Sequence, residues 1–203
     1  MNTTLFSKKE VLQGAWQRVK GHFWFIFLVM VGVLVVTGAA STLPPLSIIV
    51  GIFVSVSVLT LALMIADGVS PTFQDLFRKY HDWRLFLNYF LSSLISMVII
   101  GAGLILLIVP GIYFALRLQF YKYLIVDKED IGPWMAIKES WRMTKGHAWN
   151  LFLLTLLIIL INIVGFLLLG VGLFVSVPVS VVTYALVYRK LLQNISLAPA
   201  PAV

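Results

Sequence analysis

The sequence predicts an all-α integral membrane protein of six transmembrane helices, built from three parallel copies of one unit, with both ends in the cytoplasm. Three observations carry that expectation. Hydrophobic residues make up 61% of the 203 residues and charged residues only 11%, where a soluble domain averages about 25% charged. The apolar residues form runs of bilayer length, with the basic residues gathered between them. A K-x-H-x-W motif recurs three times. Mean hydropathy is +1.01. Cysteine is absent, which excludes disulfides, thiolate metal sites and cysteine nucleophiles. A net charge of +7 would point to nucleic acid in a soluble chain. Here the basic residues belong beside the bilayer, and no nucleic-acid partner is expected.

A helix needs about 20 apolar residues to cross the hydrocarbon core. Residues 23–41 and 46–66 supply the first two spans, joined by the uncharged turn Leu43-Pro44-Pro45. Residues 85–126 and 148–188 are apolar stretches of double length. Each has a glycine pair near its middle, Gly101 with Gly103 and Gly170 with Gly172, where a tight turn is expected. Pro110 and Pro178 then interrupt the fourth and sixth helices, where they shape packing. Every Lys and Arg except Arg117 falls in residues 8–20, 78–84, 122–145 or 189–190, and the three turns are uncharged. The positive-inside rule puts the basic segments in the cytoplasm and the turns outside. Lys8, Lys9, the following apolar run and Ala39-Ala40 loosely imitate a cleaved signal, but the region before that run is too long and carries the repeat. Residues 1–193 read as one membrane domain, with units at about 7–66, 70–126 and 132–192. Residues 194–203 read as a flexible Ala/Pro tail.

The repeat is specific. Lys20-Gly-His22-Phe-Trp24, Lys79-Tyr-His81-Asp-Trp83 and Lys145-Gly-His147-Ala-Trp149 are each followed by an apolar helix start, and together they use every histidine in the chain. A short amphipathic helix is expected before each copy. In the first, Leu12, Ala15, Trp16 and Val19 share a face, and Ser7 with Glu10 has the form of a capping box. In the second, Phe73, Leu76, Phe77 and Tyr80 have the same spacing behind Ser70 as N-cap and Pro71 as first helical residue. In the third, Trp134, Ile137 and Trp141 follow Pro133. Aromatic residues on one face with Lys and Arg elsewhere mark helices lying in the membrane interface. Hairpins one and two both leave the membrane at an aspartate, Asp67 and Asp127. Parallel repeats of this kind imply a pseudo-threefold axis along the membrane normal.

The third unit resembles an uncharacterised group of bacterial polytopic membrane proteins that includes the membrane domain attached to some glycerophosphodiester phosphodiesterases. The residues carrying the resemblance are Ala136-Ile-Lys-Glu-Ser140-Trp-Arg-Met-Thr-Lys145-Gly146, Gly170-Val-Gly172-Leu, Pro178, Tyr188-Arg189-Lys190, and Pro110-Gly111-Ile-Tyr113 with Arg117. The resemblance implies six-helix architecture and a bacterial inner membrane. It carries no hydrolase activity, because the phosphodiesterase catalytic domain is not in this sequence.

Each candidate site has a plain structural counterpart. His22, His81 and His147 could converge on a pseudo-threefold axis and bind a metal, or could simply open a helix at the interface. Arg117, about 15 Å of helix from Asp127, could bind a lipid phosphate or pack inside the bundle. Lys20, Lys79, Lys122 and Lys145 are candidates for lipid headgroups or other anions. Asp127, Glu129 and Asp130 could hold a divalent ion or form a solvated loop. No Asp or Glu lies within a span, so the carboxylate relay of a proton-coupled transporter is missing. Catalytic signatures are absent too. Three classes follow: a non-catalytic module acting on lipid at the cytoplasmic interface, a transporter or channel, and an intramembrane enzyme on lipid. The first is favoured. It needs no cofactor, and its expected partners are anionic membrane lipids, with a protein partner or a second copy left open.

Overall fold

The computed structural model describes residues 6–128, 130–168 and 170–197, and within them the regular structure is entirely helical. In chain order the helices are α1 (Lys8–Gly21), α2 (Phe23–Ala40), α3 (Pro44–Ala66), α4 (Trp83–Leu106), α5 (Ile108–Leu118), α6 (Tyr121–Asp127), α7 (Pro133–Met143), α8 (Ala148–Leu167) and α9 (Leu173–Leu197). A 3₁₀ turn, Phe73–Leu76, lies between α3 and α4. Five helices, α2, α3, α4, α8 and α9, are long and apolar enough to cross a membrane. The chain is therefore a membrane protein.

The element starts follow local chemistry. Pro44 opens α3 and Pro133 opens α7, at positions where the missing N–H costs nothing. Asp82 caps α4, its Oδ1 accepting from the N–H groups of Arg84 (3.0 Å) and Leu85 (3.3 Å). Ser7 occupies the N-cap position of α1 but makes no side-chain cap bond. Its expected partner Glu10 instead accepts from Lys190 Nζ at 2.6 Å.

Several expectations are corrected. The second amphipathic helix is only the 3₁₀ turn, because Thr72, not Ser70, is its cap. The Thr72 N–H (2.9 Å) and Oγ1 (2.7 Å) both donate to Asp75 Oδ2. Those bonds, side chain first, hold the Asp75 carboxyl below the usual carboxylate range. Ser57 Oγ of α3 then donates to the Leu76 carbonyl (2.9 Å), which holds the segment against α3.

The second hairpin does not turn at Gly101 and Gly103. Helix α4 runs through both, and the chain reverses at Leu107, whose backbone is extended. Gly103 serves close packing instead: a Cβ there would lie 2.6 Å from the Phe114 ring and 3.0 Å from the Gly111 Cα. Pro110 consequently lies in the first turn of α5 and interrupts nothing. The fourth expected span is instead split at Gln119-Phe120 into α5 and α6. The Arg117 carbonyl, which would accept from Tyr121 in an unbroken helix, is taken by Ser140 Oγ (2.9 Å) of α7, with the hydroxyl of Thr144, the C-cap of that helix, 3.1 Å away. The third hairpin keeps its expected turn, with Gly170 at φ +75, and Pro178 lies inside an uninterrupted α9. Helix α9 also continues through Leu197, so the expected tail is helical over 194–197, and its remainder lies outside the described residues.

The core is formed by the second helix of each hairpin. Of the apolar stretches, 44% of α3 and 56% of α9 is buried, against 11% of α2 and 22% of both α4 and α8. Helix α6 sits among them, with Phe120, Leu124, Ile125 and Val126 fully buried. Around this core, α1 packs on α9, the 3₁₀ turn on α3, and α7 on α6.

Candidate functional site

The charged ends of α3, α6 and α9 meet at one guanidinium. Asp67, the C-cap of α3, and Asp127, the last residue of α6, each place a carboxylate at a helix C-terminus, where it opposes the macrodipole. Arg189 of α9 answers both. Its Nε and Nη2 donate to Asp67 Oδ1 (2.8 Å) and Oδ2 (2.6 Å), and its Nη1 donates to Asp127 Oδ2 (2.8 Å). Tyr188 OH adds a fourth bond, to Asp127 Oδ2 at 2.8 Å, while its ring stacks on Tyr123 of α6 with centroids 5.7 Å apart. A cavity of about 200 Å³ adjoins this junction, lined in part by Thr60, Arg78 and Lys79. Lys79 Nζ donates to the Val126 carbonyl. The sequence marks the two aspartates only as the places where hairpins leave the membrane, and Arg189 only as part of the resemblance, with nothing to join them. The available signal was that both aspartates end apolar runs, where a carboxylate at a helix C-terminus needs a cation.

Arg117 is buried, at 3% exposure. Its Nη2 donates to the Trp141 carbonyl (2.7 Å), and its guanidinium lies 4.3 Å from the centroid of the Trp141 ring. The guanidinium thus ties α5 to α7 beneath an indole and offers no open face to a headgroup. Lys122 is half-buried between the rings of Tyr89 and Tyr121. Lys20 and Lys145 are exposed, beside the starts of α2 and α8.

The histidines go to separate tasks. His22 joins α1 to α2, with Nδ1 3.0 Å from the Arg18 carbonyl and Nε2 3.1 Å from Ser70 Oγ. His147 is the N-cap residue of α8, where burial lowers its pKa. His81 is exposed just ahead of the Asp82 cap. Among the described residues no group of three or more histidine or acidic side chains could hold a metal ion. The convergence on one metal that the repeat allowed is therefore not formed, because each ring serves, or stands beside, its own helix start. Glu129 of the expected acidic loop cluster lies outside the described residues.

Fold and site together define a multi-helix membrane protein in which the ends of α3 and α6 share one charged junction with α9. The model of a protein family of unknown function (DUF975) matches residues 46–195, and the chain belongs to that family. No curated protein and no solved structure matches it.

Proposed function

We propose that this chain is a non-catalytic protein of the bacterial inner membrane that acts on anionic lipid at the cytoplasmic interface. One observation carries the reading: α2, α4 and α8 each begin with an outward tryptophan, Trp24, Trp83 and Trp149, beside the lysine of its motif. Tryptophan with lysine at a helix start is the arrangement that anchors a helix at headgroup level. In vesicles with phosphatidylglycerol the thermal midpoint is expected to exceed that in phosphatidylcholine vesicles. The Lys20→Gln/Lys145→Gln variant, which spares Lys79 because that lysine already donates to the Val126 carbonyl, should lose much of that difference, at about 1 kcal/mol per lysine near an anionic surface. Equal midpoints in the two lipids for the native chain would remove the reading. The split between α5 and α6 favours a transporter as the competing reading, and solute uptake by the same vesicles separates the two.

The same proposal includes six crossings in three parallel units, with α5 and α6 together making the fourth. The cyclic order of packing supports it. In each case the element opening one unit lies on the closing helix of the unit before: α7 on α6, the 3₁₀ turn on α3, and α1 on α9. Ser57 and Arg117, each ten residues before its aspartate, both donate to a carbonyl of the following unit's opening element. The chain has no native cysteine, so single cysteines report topology cleanly. Thr42→Cys should react with an impermeant maleimide added outside the cell, and Gln13→Cys only after permeabilisation. The reverse pattern would overturn the orientation.

A further inference from the structure

We propose that the groove between α8 and α9, roofed by α1, holds one acyl chain of an anionic phospholipid, whose phosphate faces the lysines of α1. This rests on the lipid-interface reading and gives it a site. The groove encloses about 440 Å³, between Leu12 and Trp16 of α1, Val164 and Leu168 of α8, and Val175 and Val179 of α9. Its volume is in the range of small-molecule sites. On the α8 side the rim is open, Val164 and Leu168 each being more than half exposed. At its base Gly165 and Gly172 bring the two backbones together: a Cβ on Gly172 would lie 2.6 Å from the Gly165 Cα. The result is a valley between two helices, a shape suited to a linear hydrocarbon. Apart from the indole of Trp16, the lining has one polar side chain, Ser176, and it donates its hydroxyl to Asn162 Oδ1 at 2.9 Å. It therefore presents no unmet polar group to an occupant.

The roof supplies the charge. Leu12 and Trp16 are four residues apart on α1, and the same row of the helix continues to Lys8 on one side and Lys20 on the other. Neither lysine has an ion pair among the described residues, and the acid of α1, Glu10, is engaged by Lys190. An apolar valley that ends beneath a row of Lys, Leu, Trp and Lys matches a lipid whose chain lies in the valley and whose phosphate sits at its mouth. A polar solute would find at most the Trp16 indole N–H along the valley to bond. A neutral lipid would leave the lysines without a counter-charge.

Native mass spectrometry from mild detergent tests this, with phosphatidylglycerol and phosphatidylcholine of identical chains as probes. The native chain is expected to retain phosphatidylglycerol preferentially. Val164→Trp, which fills the groove from its exposed rim, should lose one bound lipid of either kind. Lys8→Gln/Lys20→Gln should keep the lipid but lose roughly tenfold of the preference for phosphatidylglycerol. Leu168→Trp, at another exposed rim position, is a second filler should the first fold poorly. If a folded filler variant retains as many lipids as the native chain, the groove is not the site. The wider reading would then stand, provided the native preference persists. If a filler instead abolishes a dimer and leaves lipid unchanged, the occupant is a second copy of this chain and the proposal is overturned. Absence of any phosphatidylglycerol preference in the native chain would count against the wider reading itself.

Discussion

Replacing Arg189 with glutamine is expected to lower the unfolding free energy by about 1–3 kcal/mol, more than either aspartate replaced by asparagine. The range sits below the roughly 3–5 kcal/mol typical of breaking a buried pair, because the Arg189 side chain is 25% exposed and that of Asp67 is 40% exposed. Asp67→Asn and Asp127→Asn each remove a charge that opposed a helix dipole, so part of the lost pairing is offset. Arg189→Gln has no such offset. It leaves two carboxylates at adjoining helix ends without their shared cation. Arg189→Lys should recover only part of the loss, since an ammonium cannot make the two-pronged contact to Asp67 and still reach Asp127. Adding Asp67→Asn and Asp127→Asn to Arg189→Gln should restore some stability, because it removes the stranded charges. Reversible unfolding in mixed micelles gives the ranking. If Arg189→Gln proves milder than both asparagine variants, the carboxylates are solvated separately and the junction does not hold the three helices together.

The apolar runs made most of the helices legible, because span length and charge placement are properties of the chain itself. The start at Pro133 was equally plain, since proline advertises a first helical turn, whereas Pro44, read as part of a turn, in fact opens α3. What periodicity could not show is where a tertiary partner competes for a backbone group. The Ser140 hydroxyl of α7 takes the Arg117 carbonyl and so splits one expected helix into α5 and α6. Likewise Thr72 with Asp75, helped by Ser57 from α3, turns an expected amphipathic helix into a single 3₁₀ turn. The candidate site was hidden for a related reason. Arg189 stands 122 residues from Asp67, and no spacing rule links positions that far apart. The sequence held a clue, because Asp67 and Asp127 each end an apolar run, while Arg189 and Lys190 stand at the end of the last one.

The four glycines that share one appearance in the sequence are expected to separate sharply under mutation to alanine. Gly172→Ala should destabilise by about 1–3 kcal/mol, the usual range for forcing extra volume into a packed core. The obstacle is backbone: its Cβ would lie 2.6 Å from both the Cα and the carbonyl oxygen of Gly165, and no side chain can rotate away to admit it. Moving α8 from α9 would also strain the bonds from Asn162 Nδ2 to Ser180 Oγ (2.8 Å) and from Ser176 Oγ to Asn162 Oδ1 (2.9 Å). Interhelical bonds of this kind contribute about 0.6 kcal/mol each in membranes. Gly103→Ala meets the Phe114 ring, which can shift, although the Gly111 backbone cannot, so a smaller loss is expected. Gly170→Ala has open space but a φ of +75, so its cost is the steric one of placing a Cβ in left-handed backbone, about 1 kcal/mol. Gly101 lies inside α4 with nothing within 4 Å of its Cβ position. Gly101→Ala should therefore be neutral or stabilising by about 0.5–1 kcal/mol through helix propensity alone. Unfolding midpoints of the four variants in one detergent decide the matter. If Gly101→Ala is as damaging as Gly172→Ala, then the second hairpin turns at its glycines after all, and close backbone packing of α8 on α9 is not what selects glycine in the third.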